Sequence, residues 1–200
     1  MGRNKKKPEW QSDALAMVQA LKAGEVVLHS TDTIWGLGAN AKNKEAVNQI
    51  FELKNRSKES TLIMLVDSQG MLERFLPNLP EAAWELIEVS DRPLTIVAPC
   101  APKAMEELAT GMIAEDGTVA VRLVKDDYLS FIIQGLGSPL ASTSANPSGQ
   151  PAPDSFMRIP SAIKSGVNAV AEYRRNGKPN GMSSMMVKFD DHNRITLIRS

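Results

Sequence analysis

Short apolar runs recur along this chain, each fenced by residues that cap or break regular structure. Val26-Val27-Leu28, Thr61-Leu-Ile-Met-Leu-Val66, Leu94 to Ala98 and Thr118-Val-Ala-Val-Arg-Leu-Val124 read as short strands, most of them buried. Between them lie stretches with helical spacing. Ala14, Leu15, Val18 and Leu21 mark one face of a helix opened by Ser12 and Asp13 and stopped by Gly24. Asn43 is placed to cap a second helix, with Ala46, Val47, Ile50 and Phe51 on one face. Residues 68–76 and 81–89 predict two more. Pro102 suits the first turn of another that ends near Ala109. Asp126-Asp127 opens a helix through Ile133 that Gly135 and Gly137 end. Pro139 to Thr143 predicts a strand feeding a polar loop, and Thr31 to Asn43 and 150–166 read as loops, the latter with one helix at most. Residues 168–173, 185–189 and 195–198 read as late strands, the last two paired as a hairpin through Asp190 to Asn193. The alternation is irregular. It fits an α/β (α+β) domain on a mixed sheet with helices and not a strict βαβ repeat.

With 200 residues the chain suits one domain at 12–200 behind a basic tail at 1–11. The Lys5-Lys6-Lys7 run in that tail reads as a solvated segment or as a phosphate-binding arm. Lys plus Arg and Asp plus Glu are both 23, so net charge gives no reason to expect non-specific nucleic-acid or membrane binding. One cysteine, Cys100, excludes an internal disulfide framework and a multi-cysteine zinc site, and two histidines leave little for a metal centre. No metal site is predicted. The apolar runs fall well short of the roughly 20 residues of a membrane span, and the start lacks the apolar core of a secretory signal. The expected location is the cytoplasm, with no membrane partner.

Polar and cationic residues cluster at predicted strand ends. Gly36-Leu-Gly38-Ala-Asn-Ala41 matches G-x-G-x-x-A, but polar residues separate it from the strand, so a glycine turn or a substrate loop with Thr31 and Thr33 competes with dinucleotide binding. Lys54-Asn55-Arg56-Ser57-Lys58-Glu59-Ser60 is either a solvated helix end or an anion site. Arg122 sits on an otherwise apolar strand, where it is costly unless paired, ligand-facing or at an edge. Ser142-Thr-Ser-Ala-Asn146-Pro-Ser-Gly149 places hydroxyls and an amide directly after a strand. No G-x-S-x-G or S-x-x-K accompanies them. Ser183-Ser184 and Arg199 are weak signals alone. The set suits a site that binds and aligns anions without a protein nucleophile, as nucleotide chemistry requires.

The stretch Ser30-Thr-Asp-Thr-Ile-Trp-Gly-Leu-Gly38 resembles the P-T-D/E-T-x-Y-G-L-G signature of the YrdC family. The spacing to Lys54-x-Arg56, Thr118-Val-Ala-Val-Arg122, Ser144-Ala-Asn146 and a late Ser-Ser pair fits as well, so the likeness spans about 12 to 199. Ser30, Trp35, Ser57, Thr61 and Ser184 depart from the family's usual residues, and Ser90-Asp91-Arg92-Pro93-Leu94-Thr95 is a reduced form of its W-P-G-P-L-T.

The resemblance implies a twisted α/β fold with a large, concave, positively charged cavity, in the single-domain form. It implies synthesis of threonylcarbamoyl-AMP and pyrophosphate from L-threonine, bicarbonate or CO2, and ATP, feeding the threonylcarbamoyl modification of tRNA adenosine 37. Lys54, Arg56, Ser144 and Asn146 are then the catalytic tetrad. Lys54, Arg56, Ser60, Thr118, Asn146 and Arg199 contact ATP, and Thr33, Arg122, Ser144 and Ser183 contact threonine. Mg²⁺ is carried in with ATP. Implied partners are downstream threonylcarbamoyl-transferase proteins and a tRNA contact. The alternatives are a passive RNA-binding module and a YciO-like protein, of a subset that lacks the Ser-x-Asn half; Ser144 and Asn146 argue against the second.

Overall fold

The computed structural model describes residues 7–57, 60–177, 183–190 and 192–200. Lys5 and Lys6 of the tail, Lys58 and Glu59 of the cationic cluster, and 178–181 before the serine pair lie outside them. Among the described residues one mixed sheet is built from β1 (Val27–His29), β2 (Gly36–Asn40), β3 (Ile63–Val66), β4 (Leu94–Pro99), β5 (Thr118–Leu123), β6 (Leu140–Ser144), β7 (Ala169–Val170), β8 (Met185–Phe189) and β9 (Ile195–Arg199). Their order is β7-β1-β2-β6-β3-β5-β4-β8-β9. The pairs β1–β7, β3–β5 and β4–β8 are parallel and the others antiparallel. The helices are α1 (Gln11–Lys22), α2 (Lys44–Lys54), α3 (Gln69–Phe75), α4 (Glu81–Val89), α5 (Pro102–Met105), α6 (Asp127–Leu136) and α7 (Ser161–Ser165). None is long and apolar enough to cross a membrane.

Capping follows the sequence where short polar side chains precede a helix. Asn43 accepts a hydrogen bond from the Ala46 amide at 3.0 Å, and α2 buries Ala46, Val47, Ile50 and Phe51. The helix ends on Asn55 in the left-handed region (φ 48°), which turns the chain and sends Arg56 toward the sheet. Asp126 caps α6 through the Leu129 amide at 3.0 Å. The start of α1 differs from expectation. Its cap position is Trp10, with no side-chain bond, and Asp13 ties elements together instead. The Asp13 carboxylate accepts from the Tyr128 hydroxyl at 2.7 Å and from the Glu172 and Tyr173 amides at 2.8 and 3.2 Å.

Several expectations are corrected. The predicted loop at 31–43 contains β2, a strand paired on both sides. The dinucleotide and simple-turn readings of its glycines both fall. A Cβ on Gly38 would lie 2.8 Å from His29 Cδ2, and one on Gly36 would lie 3.1 Å from His29 Nε2 and from Ser142 Oγ. The glycines are there because a neighbouring imidazole occupies the space a side chain needs. Gly135 does not end α6 but lies inside it, where its Cβ would press within 2.8 Å of Val18 on α1. The left-handed Gly137 (φ 69°) is the terminator. The helix from Pro102 stops at Met105 and a 3₁₀ turn follows at Thr110–Met112. The 150–166 segment holds a 3₁₀ turn at Phe156–Arg158 and the short α7. The strand expected at 168–173 shrinks to Ala169–Val170. Strand β9 pairs with β8 as expected.

Gly38→Ala is expected to lower stability by about 1–3 kcal/mol, because the imidazole has no room to retreat. Gly70, with nothing within 4 Å of its Cβ position, is the control. Gly70→Ala should be neutral or stabilising by up to about 1 kcal/mol. Urea denaturation of both variants checks the pair, and equal effects would contradict the packing described for β2.

Candidate active site

A cavity of about 700 Å³ opens over the middle of the sheet. The β1–β2 connection contributes Thr31 and Thr33, and the segment after α2 contributes Arg56 and Ser60. Thr118 and Arg122 come from β5. Ser142, Thr143 and Ser144 come from β6, followed by Asn146, and Ser183 and Arg199 come from beside β8 and β9. Every residue expected at the site lines this space except Lys54. Thr31, expected with Thr33 in a substrate loop, also lines it, as do Ser142, Thr143, Gln150 and Ser184, which the sequence does not single out. Ser142, Thr143 and Ser184 stand inside stretches whose hydroxyl density was visible. Gln150 carries no local signal. Among the described residues the lining holds three arginines and no carboxylate.

The two threonines are fixed by a local network. The Thr31 hydroxyl donates to Ile34 O at 2.7 Å and accepts from the Thr33 and Ile34 amides, each at 2.9 Å. With its proton committed, Thr31 Oγ1 accepts from the Thr33 hydroxyl at 2.7 Å. Thr33 Oγ1 in turn accepts from Arg122 Nη1 at 3.3 Å. Arg122, 5% exposed, also pairs through Nη2 with Asp32. That pair compensates a cation taken out of water on an apolar strand. The edge reading of Arg122 is thereby excluded, since β5 is paired on both sides. Its Nε meets no acceptor among the described residues, and neither does Asn146 Oδ1 meet a donor. Buried polar atoms are rarely left unpaired, yet neither atom is open to solvent in this structure.

Arg56 is held by Thr143 Oγ1 at 3.1 Å and Thr61 O at 2.9 Å. Burial pulls its guanidinium below the ordinary arginine value. Arg199 donates to Ser184 O through Nε at 3.1 Å and Nη2 at 2.9 Å, and to Ser184 Oγ at 3.2 Å. That fastens the end of β9 over the cavity. The Thr118 hydroxyl donates to Asp116 Oδ1 at 2.6 Å, and Asp116 is bridged on its other oxygen by Lys188 at 2.6 Å. Bonds from Lys188 and Thr118 hold the Asp116 carboxyl down to about 2.

Lys54, expected as a catalytic, ATP-contacting residue, does not line this cavity, and in the structure it positions a loop. It is 2% exposed, and its ammonium donates to Ser144 O and, at 2.5 Å, to Asn146 O. Its own carbonyl accepts from the Ser148 amide at 2.8 Å. Lys54 thus pins the loop that carries Ser144 and Asn146, from behind the cavity wall. Burial pushes its pKa down to about 8, with Arg56 adding a smaller repulsion. The side chain of Asn146 closes the same loop by donating to Gln150 O at 2.6 Å and Pro147 O at 3.0 Å.

Lys54→Met keeps the length of the side chain and removes the donor. It leaves two buried carbonyls without their ammonium and is expected to cost about 2–4 kcal/mol. Denaturation with urea reads the loss, and a change below about 0.5 kcal/mol would show that the loop does not depend on this lysine.

The geometry can be set beside known proteins. The Sua5/YciO/YrdC family profile, described as "Telomere recombination", matches residues 19–200. A threonylcarbamoyl-AMP synthase of Bacillus subtilis is 37% identical over 134 residues, covering 66% of this chain and 38% of that protein. One of Haemophilus ducreyi is 32% identical over 143 residues, covering 70% of this chain and 76% of that protein. The crystal structure of P. abyssi Sua5 complexed with L-threonine superposes with a TM-score of 0.77 at 29% identity, over 92% of this chain and 52% of that one. The chain therefore spans about half of that solved relative and less of the Bacillus protein. The shared motifs, the profile and the superposed fold agree, and the chain belongs to the Sua5/YciO/YrdC family.

Proposed function

We propose that this protein joins L-threonine, bicarbonate or CO2, and ATP into threonylcarbamoyl-AMP, releasing pyrophosphate. One observation carries the reading. Three arginines and the hydroxyl and amide groups of the family motifs, scattered from Thr33 to Arg199, line a single cavity without a carboxylate among them. A volume of about 700 Å³ is in the range of small-molecule sites and leaves room for more than one ligand.

In this reading the amine of threonine takes up CO2 to form a carbamate. A carbamate oxygen attacks the α-phosphorus of ATP, the bond to the bridging oxygen breaks, and pyrophosphate leaves with the electron pair. The chain supplies alignment and charge stabilisation and no nucleophile. Arg56 sits rigidly between Thr143 and Thr61 and offsets charge on the phosphates. Ser60, Thr118, Asn146 and Arg199 complete the nucleotide end. Arg122, a lining guanidinium already oriented by Asp32 and Thr33, pairs with the threonine carboxylate. Thr33, Ser144 and Ser183 orient the amino acid. Lys54 serves by holding the Ser144–Asn146 loop. Among the described residues no three His, Cys, Asp or Glu side chains converge as metal ligands. Mg²⁺ would enter on the nucleotide's phosphates and neutralise part of their charge.

The product would be passed to threonylcarbamoyl-transferase proteins acting on tRNA adenosine 37, in the cytoplasm. A passive RNA-binding module is disfavoured by what faces water. Among the described residues the large exposed apolar side chains are Leu15, Val89, Met157, Ile195, Leu197 and Ile198, with no aromatic platform for base stacking.

The test is pyrophosphate release by purified protein with Mg-ATP. It should require both L-threonine and bicarbonate. Arg56→Ala is expected to lower kcat/KM at least about 100-fold, some 2.7 kcal/mol of transition-state stabilisation, with little change in thermal midpoint. No turnover by the unaltered protein, or near-normal turnover by Arg56→Ala, would refute the proposal.

A further inference from the structure

One buried titratable residue has no part in the mechanism above. His29, wholly buried at the end of β1, lies on the same sheet face as its cross-strand partner Gly36 and as Gly38. Because neither glycine has a side chain, the imidazole crosses β2 and reaches the next strand. Its Nε2 lies 3.2 Å from Ser142 Oγ on β6, and its Nδ1 lies 3.3 Å from Ser30 O. A carbonyl can only accept, so Nδ1 carries the ring proton. Nε2 of the neutral ring must then accept, and the Ser142 hydroxyl must donate to it. Neutrality is consistent with the surroundings, since burial pushes the His29 pKa down to about 4 and the nearby Arg122 pushes the same way.

The consequence falls on the cavity. Ser142 is one of its lining residues, and its only proton is turned away toward the imidazole. The oxygen therefore presents lone pairs to the ligand. In a space lined by Arg56, Arg122 and Arg199, which all donate, a fixed acceptor is suited to a donor group and opposes an anion. We infer that His29 and Ser142 act as one specificity device, in which Ser142 Oγ accepts an N–H from the amine of the amino-acid substrate and His29 is the positioning residue that holds the hydroxyl in that orientation. The inference rests on the proposed function for the identity of the substrate, and goes beyond it in naming a site pair and the substrate group it reads.

The device makes a selective prediction. Calorimetric titration with L-threonine and with 3-hydroxybutanoate, which keeps the carboxylate and hydroxyl but lacks the amine, compares the unaltered protein with its variants. Ser142→Ala should weaken L-threonine binding about five- to tenfold, the size of one hydrogen bond. It should leave 3-hydroxybutanoate within twofold. His29→Phe keeps a ring over the glycines and frees the Ser142 proton. It should produce the same selective loss, and the double variant should lose no more than either single one. A long-range ¹H–¹⁵N spectrum of the unaltered protein at pH 7 should show His29 protonated on Nδ1 and bare on Nε2.

Equal weakening of both ligands by Ser142→Ala, unchanged L-threonine affinity, additive losses, or an Nε2-protonated His29 would each overturn the device while leaving the synthase reading standing. If the unaltered protein binds no L-threonine at all, the synthase reading fails and the amine assignment falls with it.

Discussion

Two cations, Lys54 and Arg122, are taken out of water, and the site depends on how each is compensated. Burying an ion costs several kcal/mol unless its hydrogen-bonding capacity is met. Arg122 is met by Asp32 and Thr33, and through Thr33 it draws in Thr31. Lys54 is met by two backbone carbonyls of the turn after β6. Each solution fixes a loop that contributes to the cavity lining. Arg122 then lines the cavity, whereas Lys54 stays behind its wall. The same chemical type thus serves binding in one place and architecture in the other, decided by what surrounds it.

The glycine strand is the second constraint. β2 sits between β1 and β6, and its bare face is where the His29 ring lies. A strand with side chains at 36 and 38 would displace His29 and crowd Ser142. Glycine is usually a poor strand residue. Here the cost in strand propensity is offset by a buried ring and by close approach of ligand-facing groups to backbone.

Much of this was legible in the residues. Helix α2, its Asn43 cap and its buried face follow from a short polar side chain ahead of a 3.6-residue period. The apolar runs at 63–66, 94–99 and 118–123 are strands because they are short and flanked by turn residues. The motif residues other than Lys54 meet at one cavity, as the family resemblance implied. What was not legible depends on contacts distant in sequence. Strand β2 was hidden because its glycines carry turn signals, and only the imidazole beneath explains them. Lys54 has the composition of an anion binder, and its true partners are carbonyls some ninety positions away. Ser142 and His29, 113 positions apart, are joined only by the register of β1, β2 and β6. Gly135 looked like a stop because its close approach to Val18 is a property of helix packing and not of local sequence.

In the proposed reaction one hollow holds the nucleotide and the amino acid together, with their reacting ends facing. A crystal structure with L-threonine and a non-hydrolysable ATP analogue tests it most directly. The phosphates are expected against Arg56, the carboxylate against Arg122 and the amine near Ser142, all within the cavity over the middle of the sheet. Either ligand bound on another face, or the two occupying the same position in turn, would contradict it.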